Sequence, residues 1–343
     1  MQQLILAAAL LGGPPFSCVS YTEDLQGSSA STIPTSSRQR RSGGFREVLE
    51  YAAVRILLAV LGALPRSVAR AIGAGVGWIA RVSLGRLRRT AERNLAIAYP
   101  ESSAEERQGI LRGLYRSLGW QIAEFAQMSK YTPESASGFI RYDGLEHYLA
   151  ARDRGRGVLI VTGHLGAWEL SSFFHSLMGH PMSMVIRRLD NQRVDALVNG
   201  IRSKHGNRVL HKDDFARGLL HAMHEGETVG ILMDTNMTPP QGVFVPFFGK
   251  EACTASGLAR VAMKTGAAVL PGFLLWHADE RKYVLHFGPQ LTLARDGSPE
   301  EQVVANTALF TAAIEHWVRR FPEQWLWVHR RWKTRPAGES SVY

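Results

Sequence analysis

The chain has 343 residues, and its 45% hydrophobic share supplies enough apolar material for a sizeable core, which excludes an intrinsically disordered chain. With 40 basic against 30 acidic residues the net charge is +10, so an anionic partner is expected: nucleic acid, a membrane surface or an acidic substrate. Cys18 and Cys253 lie far apart and form no C-x-x-C, so neither a disulfide framework nor a thiolate zinc site is supported.

Residues 1–44 open on an apolar run, Leu4–Leu11, that is short and lacks a basic start. Pro14, Pro15 and a Ser/Thr-rich stretch ending in Arg38, Arg40 and Arg41 follow. The residues before Cys18 fit a lipoprotein signal poorly, and the segment reads as disordered or as an upstream extension. From Phe45 the composition becomes small and apolar. Ile56–Leu64 and Ala71–Ala80 are charge-free and helical in flavour, interrupted at Pro65, and each is shorter than the roughly 20 residues that a spanning helix needs. They predict a helical hairpin at the bilayer interface, with a single tilted span as the alternative. Gly73, Gly75 and Gly77 do not fit a G-x-G-x-x-G loop, so close helix packing is the expected reason for them. Arg81, Arg86, Arg88, Arg89 and Arg93 follow, a cluster that an anionic leaflet would attract. This gives a membrane-associating region over 45–93, an α/β domain over 94–336 and a tail over 337–343.

Within the α/β domain, Ser103-Ala104-Glu105-Glu106 is a capping box opening a helix towards Met128, and Thr132-Pro133-Glu134 starts a shorter one. Beyond Phe139 strands and helices alternate. Strands are predicted at Gly157–Thr162, Ser183–Arg187, Asn207–His211, Thr228–Asp234, Ala267–Trp276 and Lys282–Gly288. Helices are predicted near Gly166–Leu177, Gln192–His205, Asp213–His224, Thr254–Thr265 and Pro299–Arg320. The class is α/β, with a central, largely parallel sheet flanked by helices.

The stretch Gly157–Phe174, GVLIVTGHLGAWELSSFF, carries the chemistry. His164 sits where a strand ends, between Gly163 and Gly166, and Glu169 falls in the first turns of the next helix. On one continuous helix the two would stand about 140° apart. Across a strand-to-helix turn they can meet, and a carboxylate on one imidazole nitrogen leaves the other free as a general base. Arg187 ends the following strand, at the sheet edge where α/β sites gather, and its fork suits a phosphate, a carboxylate or an oxyanion, with Arg188 as the competing choice. Asp234 ends the apolar strand TVGILMD. Phe247, Phe248 and Gly249 belong to QGVFVPFFG, read as a loop that either plugs the core or walls an acyl pocket, and Phe247 and Phe248 are expected to wall the pocket. Thr254 is read as opening a helix whose free N–H groups could receive an anion. At the C-terminus Trp325, Trp327 and Trp332 alternate with Arg330, Arg331, Lys333 and Arg335, a mixture that suits a membrane interface or stacking on nucleic acid. The apolar runs after residue 45 favour the membrane. No G-x-S-x-G or H-E-x-x-H occurs, which disfavours a serine hydrolase and a zincin.

The His164-x4-Glu169 spacing resembles the H-x4-D/E block of glycerolipid and glycolipid acyltransferases. NL…YP at Asn94–Pro100, HLGAWE, IRRLDN at Ile186–Asn191, Asp234, GVFVPFFG at Gly242–Gly249 and the WLWVHRRWKTRP tail together resemble the late, secondary acyltransferases of lipid A biosynthesis and related glycolipid acyltransferases. One departure is Thr235 after Asp234, where that family usually has Gln. The resemblance implies an O-acyltransferase at the cytoplasmic face of a bacterial inner membrane, moving a fatty acyl group from acyl carrier protein or acyl-CoA to a glycolipid hydroxyl. In it His164 and Glu169 form the base dyad, Arg187 binds phosphate or oxyanion, and Asp234 shapes the site. No nucleic acid, metal or cofactor is expected. The alternatives are a lysophospholipid acyltransferase and a non-enzymatic membrane- or nucleic-acid-binding protein.

Overall fold

A computed structural model describes residues 44–186, 188–211 and 215–343. The expectations for residues 1–43 and for Arg187 lie outside them. The apolar runs form α1 (Phe45–Ala63) and α2 (Arg66–Ser83), parted at Pro65, which has no N–H to continue a helix ladder. Next come α3 (Gly85–Ala98) and α4 (Ala104–Gln127), the latter opened by the expected Ser103–Glu106 capping box. Both α1 and α2 dock on α4. A Cβ on Gly73 would lie 2.3 Å from the carbonyl oxygen of Gly119, and one on Gly77 2.0 Å from that of Tyr115. The two glycines therefore let the backbones touch, as expected, whereas Gly75 faces nothing within 4 Å. No helix among the described residues is long and apolar enough to cross a membrane. Ten of the eleven large apolar side chains exposed among those residues are on α1 and α2, from Phe45 to Val82.

After the short α5 (Pro133–Ser137), seven strands form one sheet in the order β1-β9-β8-β2-β5-β3-β4. The strands are β1 (Ile140–Asp143), β2 (Val158–Thr162), β3 (Ser183–Ile186), β4 (Arg208–His211), β5 (Thr228–Leu232), β8 (Ala268–His277) and β9 (Lys282–Phe287). Five run parallel, from β8 to β4, while β9 is antiparallel to β8 and carries β1 in parallel beside it. The helices α6 (Leu145–Arg152), α7 (Trp168–Leu177), α8 (Gln192–Arg202), α9 (Phe215–His224), α10 (Gly257–Thr265) and α11 (Pro299–Arg320) complete the α/β architecture. The central strands β2 and β5 are buried along almost their whole length, which is why they read as unbroken apolar runs.

The stretch read as an aromatic loop is instead a hairpin, β6 (Gly242–Phe247) paired antiparallel with β7 (Lys250–Ala255). Its two-residue turn holds Phe248 at φ +53° and Gly249 at φ +71°, both in the positive-φ region that tight hairpin turns use. Thr254 accordingly lies inside β7, not at a helix start, and α10 begins three residues later.

Candidate active site

The parallel register sets Thr162 of β2 opposite Leu232 of β5. Two residues further along both chains, His164 meets Asp234. His164 Nδ1 donates to Asp234 Oδ1 at 2.8 Å, and the His164 backbone N–H donates to Oδ2 at 2.7 Å. The indole of Trp325 adds a third donor on Oδ2 at 2.8 Å. Asp234 is thus buried but saturated. Burial alone would push its carboxyl up, yet His164 and the Trp325 N–H hold it down at about 2. With Nδ1 taken, Nε2 is the imidazole nitrogen left for proton transfer.

The glycines flanking His164 have steric reasons. A Cβ at Gly163 would come 2.9 Å from Asp234 Oδ2, and Gly166 turns at φ +65° with its Cα against the carbonyl of Leu274. Gly166 N–H donates to Gln324 O, and Leu165 bridges to Trp325.

Glu169 does not hold His164, which corrects the expected dyad. It lies in the first turn of α7 and turns towards α8, where Arg202 donates from Nε to Oε2 at 2.8 Å and from Nη2 to Oε1. Both side chains are nearly buried, at 11% and 4% exposed. Burial would raise the Glu169 carboxyl, but Arg202 lowers it. The physical reason for the correction is the helix start: α7 begins at Trp168, so Glu169 points along the first turn rather than back over the strand end. Arg202 carries no sequence signal, being one arginine in an amphipathic helix 33 residues away.

The C-terminal WLWVHRRW segment is core, not membrane interface: Trp325, Trp327, Trp332 and Arg331 are at most 1% exposed. Each indole finds an acceptor within the protein, on Asp234, Pro322 O and Lys250 O respectively, so none needs an interface. This segment straps the loop after β5. Arg331 donates to Thr235 O, Cys253 O and Thr254 Oγ1, the Asn236 backbone N–H donates to His329 Nε2 at 2.9 Å, and the Asn236 side chain bonds Thr334 in both directions. Asn94 donates to the carbonyls of Trp327 and His329, both at 2.6 Å. The Asn94 block, the hairpin and the tail therefore meet on one side of Asp234.

Phe247 and Phe248 are buried there. Phe247 packs on Trp325 and Trp332, while Phe248 packs on Tyr99 and Trp327 with its N–H on Glu315 Oε2 at 2.6 Å. Their surroundings are those of the core plug. A different, apolar cavity lies between the sheet and α7, lined by Ile160, Thr162, Trp168, Met184, Leu232 and Gly272, with the Glu169–Arg202 pair in its wall. Thr162 places that cavity two residues from His164, and the Trp168 ring stands edge-to-face on the imidazole at 5.2 Å.

The profile of the bacterial lipid A biosynthesis acyltransferase family matches residues 41–334. The chain is 32% identical over 282 residues to the lipid A biosynthesis palmitoleoyltransferase of Escherichia coli K12, covering 82% of this chain and 90% of that protein. It is 29% identical over 281 residues to the lauroyltransferase of the same organism, with the same coverage. To the myristoyltransferase it is 23% identical over 256 residues, covering 75% of this chain and 78% of that one.

Proposed function

The chain belongs to the bacterial lipid A biosynthesis acyltransferase family, and from that premise we propose that it is a membrane-associated O-acyltransferase in which His164, held by Asp234, is the general base for acyl transfer to a hydroxyl of a lipid A-type glycolipid. The observation that carries this reading is the His164 Nδ1 to Asp234 hydrogen bond at the C-terminal edge of two neighbouring parallel strands. His164 Nε2 takes the proton of the acceptor hydroxyl as its oxygen attacks the carbonyl carbon of an acyl thioester. Asp234 stabilises the imidazolium that forms. Collapse of the tetrahedral intermediate breaks the carbon–sulfur bond, and the imidazolium proton goes to the leaving thiolate. The products are the acylated lipid and the free thiol of acyl carrier protein or coenzyme A. Glu169 acts at one remove, by fixing α7 to α8 through Arg202. Arg187 receives a phosphate or oxyanion.

Membrane association is supported by the apolar side chains exposed along α1 and α2, since exposed apolar surface concentrated in one region marks a partner or a membrane; the cytoplasmic face of the inner membrane is part of the same proposal. The test is acyl transfer by purified protein from acyl carrier protein or CoA thioesters to a lipid A precursor. His164→Ala is expected to lower turnover by roughly 10²- to 10⁴-fold while leaving the melting curve intact. Near wild-type transfer by that variant would end the general-base reading.

A further inference from the structure

A groove of about 670 Å³ runs between α2 and α4, away from the cavity beneath the sheet. Three arginines edge it: Arg81 from α2, and Arg112 and Arg116 from α4. Arg81 donates to Gln108 Oε1 at 3.3 Å and keeps a buried Nε without a partner. Arg112 and Arg116 are exposed and make no ion pair among the described residues, and Arg116 only leans on the ring of Trp120 at 5.2 Å. Glu323 is the acidic residue in the lining, so the groove carries a net excess of two positive charges.

Trp78 forms the other lip and is 61% exposed. At 100° per residue, Ala74 and Arg81 lie about 40–60° to one side of Trp78 on α2, in the groove, while Val82, Val68, Ile79 and Ile72 lie about 40–120° to the other side. All four of those apolar side chains are exposed. The helix thus presents cations on one side of an indole and an apolar row on the other, the order in which a bilayer sets headgroups, interface and hydrocarbon.

We propose that this groove is a binding site for the phosphate headgroup of an anionic bilayer phospholipid, whose acyl chains run along the exposed row of α2. A guanidinium fork matches phosphate oxygens two at a time, and Arg112 and Arg116 have their donors uncommitted. The apolar row distinguishes a lipid from an acidic protein, because a lipid covers Trp78, Ile79 and Val82 with its own chains at no cost to its charge. The proposal rests on the membrane reading above only for the presence of a bilayer. Its test reads vesicle binding and needs no turnover, so it succeeds or fails independently of acyl transfer.

The experiment is flotation of the full chain with phosphatidylcholine vesicles, with and without phosphatidylglycerol. Arg112→Gln/Arg116→Gln is compared with Arg86→Gln/Arg89→Gln, which removes the same charge from exposed positions on α3 outside the groove. All four side chains are exposed, and melting curves verify that both variants fold. Two basic side chains near an anionic surface are worth roughly 30-fold in partition. The groove pair is expected to lose about that factor or more on phosphatidylglycerol vesicles, with the α3 pair losing clearly less and binding to pure phosphatidylcholine unchanged. Equal losses would mean a diffuse cationic film rather than a site, and no loss from the groove pair would mean that the groove is empty of lipid; either overturns the proposal. So would groove variants that keep vesicle binding but lose affinity for acidic acyl carrier protein.

Discussion

Replacing Asp234 by Asn keeps the shape of the side chain and inverts its hydrogen bonding. Oδ2 accepts two N–H groups, from the His164 backbone and the Trp325 indole, and Oδ1 accepts the third from His164 Nδ1. An asparagine has one acceptor oxygen, and at the Oδ2 position it retains two of the three bonds. Its amide nitrogen then faces Nδ1, which has to become an acceptor, so the imidazole proton moves to Nε2 and the base is lost at the atom that needs it. The flipped amide sets donors against two N–H groups and forfeits more. A positioned general base is worth about 10²- to 10⁴-fold, and inverting the tautomer of a carboxylate-held imidazole falls at the upper end of that range. Asp234→Asn is therefore expected to lower kcat by roughly 10³- to 10⁴-fold. KM should change little, because Asp234 is buried behind His164. The assay is thiol release from the acyl thioester with the lipid acceptor present, with a melting curve on the same sample. A folded variant that turns over near the wild-type rate would refute Asp234 as the orienting group.

Three further outcomes separate the roles of neighbouring residues. Glu169→Gln leaves Arg202 buried without its counter-charge, so a loss of about 3–5 kcal/mol in stability is expected, with turnover per folded molecule retained; loss of turnover at unchanged stability would return Glu169 to the reacting centre. Phe248→Ala removes a ring packed on Tyr99 and Trp327, so a core penalty of about 3–5 kcal/mol is expected, with the chain-length profile unaltered in competition among acyl donors of graded length; a shifted profile would put the ring in the donor pocket. Burial pushes the His175 imidazole down to about 3, so between its unfolded value near 6.5 and that figure the unfolded chain binds the extra proton and stability falls as pH falls. Denaturant titrations of His175→Gln should lack about 1.6 kcal/mol of the wild-type loss between pH 6.5 and pH 5, and parallel curves would contradict it.

The fold was legible where burial is two-sided or a cap is complete. Val158–Thr162 and Thr228–Leu232 are unbroken apolar strands because helices cover both faces of the sheet, and the Ser103 and Thr132 caps start their helices where the sequence places them. The hairpin Gly242–Ala255 was not legible. Its residues alternate poorly because Phe247 and Phe248 are consecutive and both buried, one ending a strand and the other in a turn at positive φ. Nor were the tryptophans of the tail: a run of indoles among arginines has the same composition at a membrane interface and in a core. What decides is whether acceptors within the protein await the indole N–H groups, and two of those acceptors, Asp234 and Lys250, come from far along the chain.

Spacing along the chain singles out His164 but pairs it with Glu169, whereas the fold sets Asp234 on its Nδ1. Four residues between His164 and Glu169 invite a local pairing, but α7 starts at Trp168 and its first turn aims Glu169 at α8, where Arg202 engages both carboxylate oxygens. The partner comes from register instead. β2 and β5 are neighbours, run parallel and pair Thr162 with Leu232, so residues two beyond each strand end must face each other if the chains leave the sheet at the same height. Gly163 permits that approach, since any side chain there would strike the Asp234 carboxylate. A histidine and an acid, each ending an apolar strand and each the same distance past it, are therefore a stronger indication of a dyad than a short spacing between them, once a parallel sheet makes the strands adjacent.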